Sequence, residues 1–306
     1  MNRDIKLIGH DNVFINLANL LKNSNLPNKI LLQGNKGIGK FMFAEHFVNY
    51  VLSLDEEYKY DLKNFIVNNN NKSQILNVND VNPNIFKIQR NKDKKYIEVS
   101  QIRDMIKYQN KSSFNSKFKF ILINDVGNLN LNSSNALLKS LEEPNNNVFF
   151  ILTHNTGSKI EDTIKSRCIN FKLFLKPNDV NLIINNYFDE EIINYLSEDF
   201  INHYNNPSFI ISLIVYIREC SLNISDITVE NLIYHIIENK DYIKNKFVRD
   251  NINIFIELFF FKKVVTTRNE MHKIKDYFYR KFNLIQKYNL DLETFFLEFK
   301  KKLLSE

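Results

Sequence analysis

The residues of this chain best suited to chemistry lie in the run Gly34-Asn35-Lys36-Gly37-Ile38-Gly39-Lys40-Phe41. The glycines Gly34, Gly37 and Gly39 can turn backbone N–H groups inward, and the N-terminus of a following helix adds partial positive charge. Lys40 is then placed to reach the terminal phosphates of a nucleotide. A glycine-rich turn without function is the alternative. Since the run is flanked by strand and helix patterns, we predict a phosphate-binding loop.

Two positions depart from the pattern of a loop that hydrolyses ATP. The pattern GxxxxGK is normally followed by Ser or Thr, whose hydroxyl ligates Mg²⁺, and Phe41 has no hydroxyl. The end of a second strand normally presents two acids, whereas this chain has the pair Asn124-Asp125. The two losses together predict a nucleotide site that has lost hydrolysis, and they leave residual ATP or ADP binding open.

These side chains must be positioned by a parallel sheet. Phe118–Ile123 and Val148–Leu152 are short apolar runs, typical of strands buried on both faces, with a helical pattern between them. A strand–helix–strand unit of this length predicts two parallel strands joined by a right-handed crossover. Because ligands bind at the carboxyl ends of such strands, we expect Asn124, Asp125 and the polar end Thr153–Asn155 to lie together.

The remaining pattern predicts further elements on both sides of Pro177. In the first 175 residues we predict helices over Val13–Lys22 and about Phe41–Leu54, strands over Lys29–Gln33, Ile85–Ile88 and Ile169–Leu173, helix caps at Ser100 and at Asn132 or Ser133, and a flexible loop at the Asn run 68–71. After Pro177 the pattern is helical throughout, with a three-helix unit over 178–220 whose last helix begins at Pro207.

Two phenylalanine-rich stripes at helical spacing follow in residues 221–306. They are Met271, Ile274, Phe278, Phe282 and Ile285, and then, after the capping residue Asp291, Phe295, Phe296, Phe299 and Leu303. Core packing is the first interpretation of these stripes, and a subunit interface is the alternative.

The composition is that of a globular protein with a weak positive bias. The chain has 306 residues, 44% hydrophobic and 25% charged, with a formal net charge of +6, which permits contact with nucleic acid but argues for it weakly. No segment resembles a signal peptide, and Ile252–Phe261 is too short to span a bilayer, so we expect a cytoplasmic protein without membrane contact. Two cysteines and six scattered histidines show no metal-ligand spacing, so no metal site is predicted.

Several segments of the first 175 residues occur together in one known family. They are LPNKILLQGNKGIGK, NPNIFKI, IEVSQIRDMI, and NSSNALLKSLEEPNNNVFFILT followed by IKSRC. In this order and spacing they resemble the delta-prime subunit of the bacterial DNA polymerase III clamp loader, a AAA+ family. The resemblance implies an α/β AAA+ P-loop domain with a degenerate nucleotide site over 1–175. It further implies a helical lid over 176–220 and an all-α collar domain for oligomerisation over 221–306.

The resemblance also implies a role in a complex. Clamp loaders are rings of AAA+ subunits that use ATP to open a sliding clamp and place it on primed DNA, as part of the DNA-directed DNA polymerase holoenzyme. Delta-prime is the largely inactive member, and an arginine of its SRC motif closes a neighbour's ATP site. By that motif Arg167 is the arginine finger, with an ordinary surface arginine as the alternative. The implied partners are the ATPase subunits, delta, the sliding clamp and primed DNA.

Other family positions refine these expectations. The sensor arginine that usually begins the last lid helix corresponds to Phe209, and Thr153 matches the sensor position on its strand, with a polar strand end as the alternative. Many relatives carry a four-cysteine zinc module, but residues 55–96 contain no cysteine, so we expect no zinc there and no required cofactor.

Two other functions stay open at this point. One is an active AAA+ ATPase subunit of the same loader. The other is a DNA-binding AAA+-like initiator or helicase loader, although no helix-turn-helix with a base-reading basic helix is recognisable in the sequence.

Overall fold

The predicted parallel sheet is present in the first part of the chain. The computed structural model describes residues 5–91, 93–111, 118–143, 145, 147–201, 206–266, 270–288 and 290–304. These residues divide into two units, Met1–Asp179 and Val180–Glu306.

Five parallel strands form the main sheet of the first unit, and two short strands pair separately. The strands are β1 (Ile5–Lys6), β2 (Lys29–Gly34), β3 (Ile66–Val67), β4 (Ile85–Ile88), β5 (Lys119–Ile123), β6 (Val148–Asn155) and β7 (Ile169–Lys172). The main sheet has the order β4-β5-β6-β2-β7, while β1 pairs with β3 in antiparallel fashion. The predicted parallel orientation of β5 and β6 is confirmed, and the two strands pair directly.

Helices cover both faces of this sheet. In the first unit they are α1 (Asp11–Lys22), α2 (Lys40–Leu52), α3 (Lys72–Val78), α4 (Val99–Asn110), α5 (Leu131–Glu142) and α6 (Asp162–Lys165). Phe14 of α1 and Phe43 of α2 share one core cluster with Leu32, whereas Leu137 of α5 shares the other with Leu31. Successive strand residues point to opposite faces, so strands buried on both faces read as continuous apolar runs.

Two predicted helix caps are wrong. Helix α5 begins at Leu131 because the side chain of Asn130, in extended backbone, accepts a hydrogen bond from the Ser133 N–H at 2.9 Å. The Ser133 hydroxyl instead donates to the Ile97 carbonyl at 2.8 Å. Helix α4 begins at Val99, since Gln101 Oε1 accepts from the Glu98 N–H at 3.2 Å, so Ser100 lies inside the helix.

The predicted flexible loop at the Asn run 68–71 is also wrong at its end. Asn71 is 0% exposed and caps α3 by accepting from the Gln74 N–H at 2.9 Å. Its side-chain amide also pairs with that of Asn49 on α2, at 3.3 and 3.4 Å. Asn71 therefore links α2 and α3 through a buried side-chain contact.

The second unit is built from helices. The helices from Pro177 onward are α7 (Pro177–Phe188), α8 (Glu198–Ile201), α9 (Pro207–Glu219), α10 (Val229–Glu238), α11 (Asp241–Lys244), α12 (Lys246–Asp250), α13 (Ile252–Thr266), α14 (Glu270–Tyr288) and α15 (Leu292–Phe299). The predicted start of α9 at Pro207 is confirmed, and so is the cap at Asp291, whose carboxylate accepts from two N–H groups of α15. A five-stranded parallel sheet with helices, followed by an all-helical region, confirms the predicted fold class.

The phenylalanine stripes form the core of the second unit. Phe278 and Phe299 are 0% exposed, with ring centroids 5.1 Å apart, and Phe295 lies 5.7 Å from Phe278. Core packing is therefore the correct interpretation of these residues.

The division of this part at residue 220 stays a prediction, and aromatic contacts cross it, since Phe209 lies 5.7 Å from Phe247. Within the described residues, no helix is both long and apolar enough to span a membrane.

Candidate nucleotide-binding site

The carboxyl ends of four parallel strands border a cavity of about 360 Å³. The loop after β2 supplies one wall, and residues that follow β4, β5 and β6 supply the rest. The lining residues are Lys36, Gly37, Gly39, Lys40, Phe41, Met42, Gln89, Arg90, Asn124, Asp125, Asn128 and Asn155. The structure thus brings together most of the predicted nucleotide-site residues, while Gly34 and Thr153 lie behind this lining.

The glycines of the loop are required by its backbone. Gly37 and Gly39 have φ values of 84° and 85°, in the left-handed region that favours glycine. At Gly34 an added Cβ would lie 2.5 Å from the backbone oxygen of Leu173, so a side chain would displace the neighbouring chain. The loop therefore has the shape of a phosphate-binding loop and leads directly into α2 at Lys40.

Lys40 is held inside the loop by three acceptors. Its Nζ donates to the carbonyl oxygens of Gly34 at 2.9 Å and Asn35 at 2.6 Å, and to Asn155 Oδ1 at 2.7 Å. An ammonium group has three N–H donors, and these three contacts use all of them. Burial lowers the pKa of Lys40 to about 8, against the opposing effect of the Asp125 carboxylate. A phosphate at this position must replace at least one of these contacts.

Asn155 connects the lysine with the acid of the site. Its Nδ2 donates to Asp125 Oδ2 at 2.6 Å while its Oδ1 accepts from Lys40. Asn128 Nδ2 and the Gly127 N–H also donate to the Asp125 carboxylate, at 3.1 and 3.3 Å. The sequence predicts that the polar strand end with Asn155 lies at this edge of the sheet, but it singles out Thr153 as the site residue of that strand and assigns no role to Asn155.

Asn124 and Thr153 form a second layer behind the acid. The Thr153 hydroxyl accepts from the Asp125 N–H at 2.8 Å and donates to Asn124 Oδ1 at 3.2 Å. Thr153 is 1% exposed, so it supports the strand ends, while Asn155 is the residue of this strand that faces the cavity.

The lining has the charge of an anion site without the ligands of a magnesium site. Lys36, Lys40 and Arg90 face one carboxylate, Asp125, which neutral donors already occupy. Phe41 packs against the core beneath α2 and brings no oxygen. Because Mg²⁺ prefers oxygen ligands in octahedral geometry, the arrangement favours phosphate contact over metal-assisted hydrolysis.

Arg167 lies apart from this cavity. It follows α6, where its NH2 group pairs with Glu142 Oε1 at 2.7 Å and its NH1 group donates to the Thr163 carbonyl at 2.9 Å. Its side chain is 33% exposed, so part of the guanidinium faces solvent. The next residue, Cys168, is buried in the core, and burial raises the pKa of its thiol to about 11. The buried cysteine fixes the backbone that presents the arginine.

The family described as "DNA polymerase III, delta subunit" matches residues 9–176 of this chain. Among curated proteins, the DNA polymerase III subunit delta' of Pseudomonas aeruginosa is 31% identical over 139 residues, which are 45% of this chain and 40% of that protein. The DNA polymerase III subunit gamma of Buchnera aphidicola (subsp. Schizaphis graminum) is 39% identical over 109 residues, 33% of this chain and 29% of that protein. The chain spans less than half the length of these relatives.

Solved structures include a similar chain of low identity. A DNA polymerase III gamma subunit-related protein from Thermotoga maritima covers 92% of this chain and 96% of its own, with a TM-score of 0.47 and 12% identity.

Proposed function

This chain belongs to the family described as DNA polymerase III, delta subunit, and on that premise we propose that it is a non-catalytic subunit of the replicative clamp loader. The resemblance to the clamp-loader subunits of DNA polymerase III that its sequence predicts is confirmed. In the proposed role, the chain closes a neighbouring subunit's ATP site while the sliding clamp is loaded onto primed DNA. It acts in the cytoplasm with the ATPase subunits and delta, as a component of the polymerase holoenzyme.

The observation that carries this proposal is the state of the chain's own nucleotide site. Among the described residues, Asp125 is the single acid that lines the cavity, and the amides of Asn155 and Asn128 already donate to it. Phe41 and Asn124 stand where a magnesium site uses a hydroxyl and a second acid. The loop geometry is retained without the residues for hydrolysis, so any ATP or ADP bound here serves structure.

The position of Arg167 supports the second half of the proposal. It does not line the chain's own cavity, and it presents a partly exposed guanidinium from a backbone that Cys168 anchors. A guanidinium delivered to a neighbour's nucleotide stabilises charge on the transferring phosphoryl group and is worth about 10³–10⁵ in rate. In this role the guanidinium would exchange its contacts with Glu142 and with the Thr163 carbonyl for contacts with the neighbour's nucleotide.

An active ATPase subunit of the same loader is the second candidate. It is favoured by the similarity to relatives named gamma as well as to one named delta'. The isolated chain tests it directly. We expect no Mg²⁺-dependent ATP hydrolysis above background, whereas robust turnover that Lys40→Ala abolishes would establish the ATPase and overturn our proposal.

The arginine assignment is tested in a reconstituted loader. Arg167→Ala should lower the ATPase rate stimulated by clamp and DNA while the complex still assembles, as judged by size-exclusion chromatography. Arg167→Lys should also lower it, because an ammonium group lacks the planar fork of guanidinium. Arg103→Ala, which removes an exposed arginine of α4, is the matched control and should leave the rate unchanged. Equal rates for Arg167→Ala and the control would refute the assignment.

A further inference from the structure

We propose that Cys220, His235 and Asp241 form a binding site for a divalent transition metal, with Zn²⁺ as its best-suited occupant. One ligand atom from each of these residues lies within 4.8 Å of the other two. Among the described residues, this is the group of histidine, cysteine and acid side chains that meets that condition. The site lies in the second unit, whereas the candidate nucleotide cavity belongs to the first.

Three successive helices bring these residues together. Cys220 is the C-cap residue of α9, His235 lies in the last turn of α10, and Asp241 is the first residue of α11. The residues are 15 and 6 positions apart, which is no recognised ligand spacing, so the sequence predicted no metal here. This place also differs from residues 55–96, the segment to which the family resemblance assigns a zinc module.

The separations of the three ligand atoms are slightly wider than those between ligands of one bound metal. His235 Nε2 and Asp241 Oδ2 are 3.8 Å apart, which is too long for a hydrogen bond and within ion-pair distance when the imidazole is protonated. Two atoms that each lie about 2.0–2.1 Å from one tetrahedral Zn²⁺ are about 3.3 Å from each other, and a sulfur ligand at about 2.3 Å widens such a separation slightly. Small rotations of the three side chains are therefore sufficient to enclose the ion.

Neighbouring polar groups resemble the outer shell of a metal site. The Tyr216 hydroxyl, one turn before Cys220 on α9, donates to Asp241 Oδ2 at 2.6 Å and so fixes the carboxylate. The Asn239 side-chain nitrogen lies 3.2 and 3.3 Å from the two ring nitrogens of His235. When Nε2 binds a metal, Nδ1 carries the proton and needs an acceptor, which the Asn239 side chain supplies once its amide oxygen is turned toward the ring. Outer-shell partners of this kind orient ligands and tune affinity.

The donor set indicates the metal and the coordination. A thiolate, an imidazole and a carboxylate are borderline-soft to hard donors, which suits Zn²⁺ better than Mg²⁺ or Ca²⁺. The side chains of His235 and Asp241 are 25% and 15% exposed, so an ion can enter and a water molecule can supply the fourth ligand. A bound ion would join the ends of α9, α10 and α11 and stabilise this part of the second unit.

Cobalt titration of the full, tag-free chain tests the site, because Co²⁺ bound to thiolate has a charge-transfer absorption band that other cobalt sites lack. We expect the band to appear with one equivalent of Co²⁺ and to disappear when Zn²⁺ is added. Cys220→Ser should abolish it, while Cys168→Ser, which removes the other cysteine, should retain it. Absence of the band in the unmodified chain, or its loss in Cys168→Ser alone, would overturn the proposal.

Two further variants separate the other ligands from general effects on folding. His235→Asn should weaken Zn²⁺ binding measured by competition with a chelating dye, whereas His272→Asn, at an exposed histidine of α14, should not. Tyr216→Phe should weaken it by about 10–100-fold through the unsupported Asp241 carboxylate. Circular dichroism of each apo variant verifies folding. Equal Zn²⁺ affinity of the unmodified chain and His235→Asn would also refute the site.

Discussion

At the scale of single residues, Phe41 and Asn124 are the positions at which the proposed nucleotide site departs from one that binds magnesium. We expect the double variant Phe41→Thr/Asn124→Asp to bind Mg²⁺-ATP at least about tenfold more tightly than the unmodified chain, since a hydrogen bond to a charged group contributes about 1.5–3 kcal/mol. An aspartate at 124 keeps the contact with the Thr153 hydroxyl, so the strand end should tolerate it. Calorimetric titration with and without Mg²⁺ measures the effect.

Each single variant is the control for that experiment. Phe41→Thr and Asn124→Asp alone should give smaller gains, because each supplies one of two missing contributions. Phe41 packs against the core, so its replacement by Thr costs stability, and denaturant unfolding should accompany the titration. If the double variant binds Mg²⁺-ATP no better than the unmodified chain, these two residues do not limit the affinity of the proposed site for Mg²⁺-ATP.

The candidate site could be predicted from the sequence only as far as its signals are local. Gly34, Gly37, Gly39 and Lys40 follow a fixed spacing because consecutive backbone groups surround a phosphate. Asn155 follows no such spacing. Its importance comes from the pairing of β2 with β6, which brings it opposite the end of the glycine loop, and register between distant strands is not contained in either strand alone.

His46 on α2 makes stability depend on pH. Burial lowers its pKa to about 4, its Nδ1 is hydrogen-bonded to the Tyr60 hydroxyl at 3.0 Å, and its Nε2 is buried without a partner among the described residues. The folded protein therefore holds the neutral ring. Above the unfolded pKa of about 6.5 the group has no effect, and as pH falls from there toward 4 the unfolded state binds the proton first, so stability is lost by roughly 3 kcal/mol.

The measurement is chemical denaturation of the unmodified chain and of His46→Asn at several pH values between 4.5 and 8. Asn retains an acceptor for Tyr60 and cannot be protonated, so the variant should lose less stability on acidification. His10→Asn is the comparison, because the pKa of His10 is also lowered by burial. If the stability of His46→Asn and that of the unmodified chain depend on pH in the same way, His46 is not the group responsible for the loss of stability on acidification.

At the scale of elements, Asn71 joins α2 and α3 through one buried amide. Asn71→Ala removes the cap of α3 and leaves the Asn49 amide unpaired, so we expect the free energy of unfolding to fall by about 1–3 kcal/mol. The exposed neighbour Asn70 is the matched control, and Asn70→Ala should change it by less than about 0.5 kcal/mol. Urea denaturation of both variants decides whether the Asn run is structural, and equal stabilities would show that it is not.

The elements themselves were largely predictable because their patterns are continuous. β5 is apolar after Lys119 and β6 is apolar over 148–152, and the phenylalanine stripes of α14 and α15 repeat at helical spacing, so the burial of these residues follows from the sequence. The residues that cap the helices were less predictable. Several Asn and Ser side chains near the start of α5 could accept a hydrogen bond from a free N–H of its first turn. Asn130 accepts it from Ser133, whose own hydroxyl donates to the Ile97 carbonyl.

At the scale of the whole molecule, the formal charge of +6 is a small excess of 41 lysine and arginine residues over 35 acidic residues, so it provides little positive surface for DNA. Many basic side chains are paired with acids, including Lys262 with Asp199 at 2.8 Å and Lys240 with Glu293 at 2.6 Å. The exposed residues Lys273 and Arg280 border a shallow depression on α14. Such a surface favours weak contact with phosphate over sequence recognition.

We therefore expect the isolated chain to bind DNA without sequence preference, with a Kd of about 10⁻⁴–10⁻⁶ M at physiological salt. Fluorescence anisotropy over a range of salt concentrations measures both affinity and salt dependence. Lys273→Glu/Arg280→Glu should weaken binding and reduce the salt slope by about one for each lost contact, whereas Lys59→Glu/Arg103→Glu makes the same charge change on the first unit and serves as the control. Nanomolar, sequence-specific binding by the chain alone would instead identify a DNA-binding initiator or helicase loader, because a loader subunit needs DNA contact only within the complex.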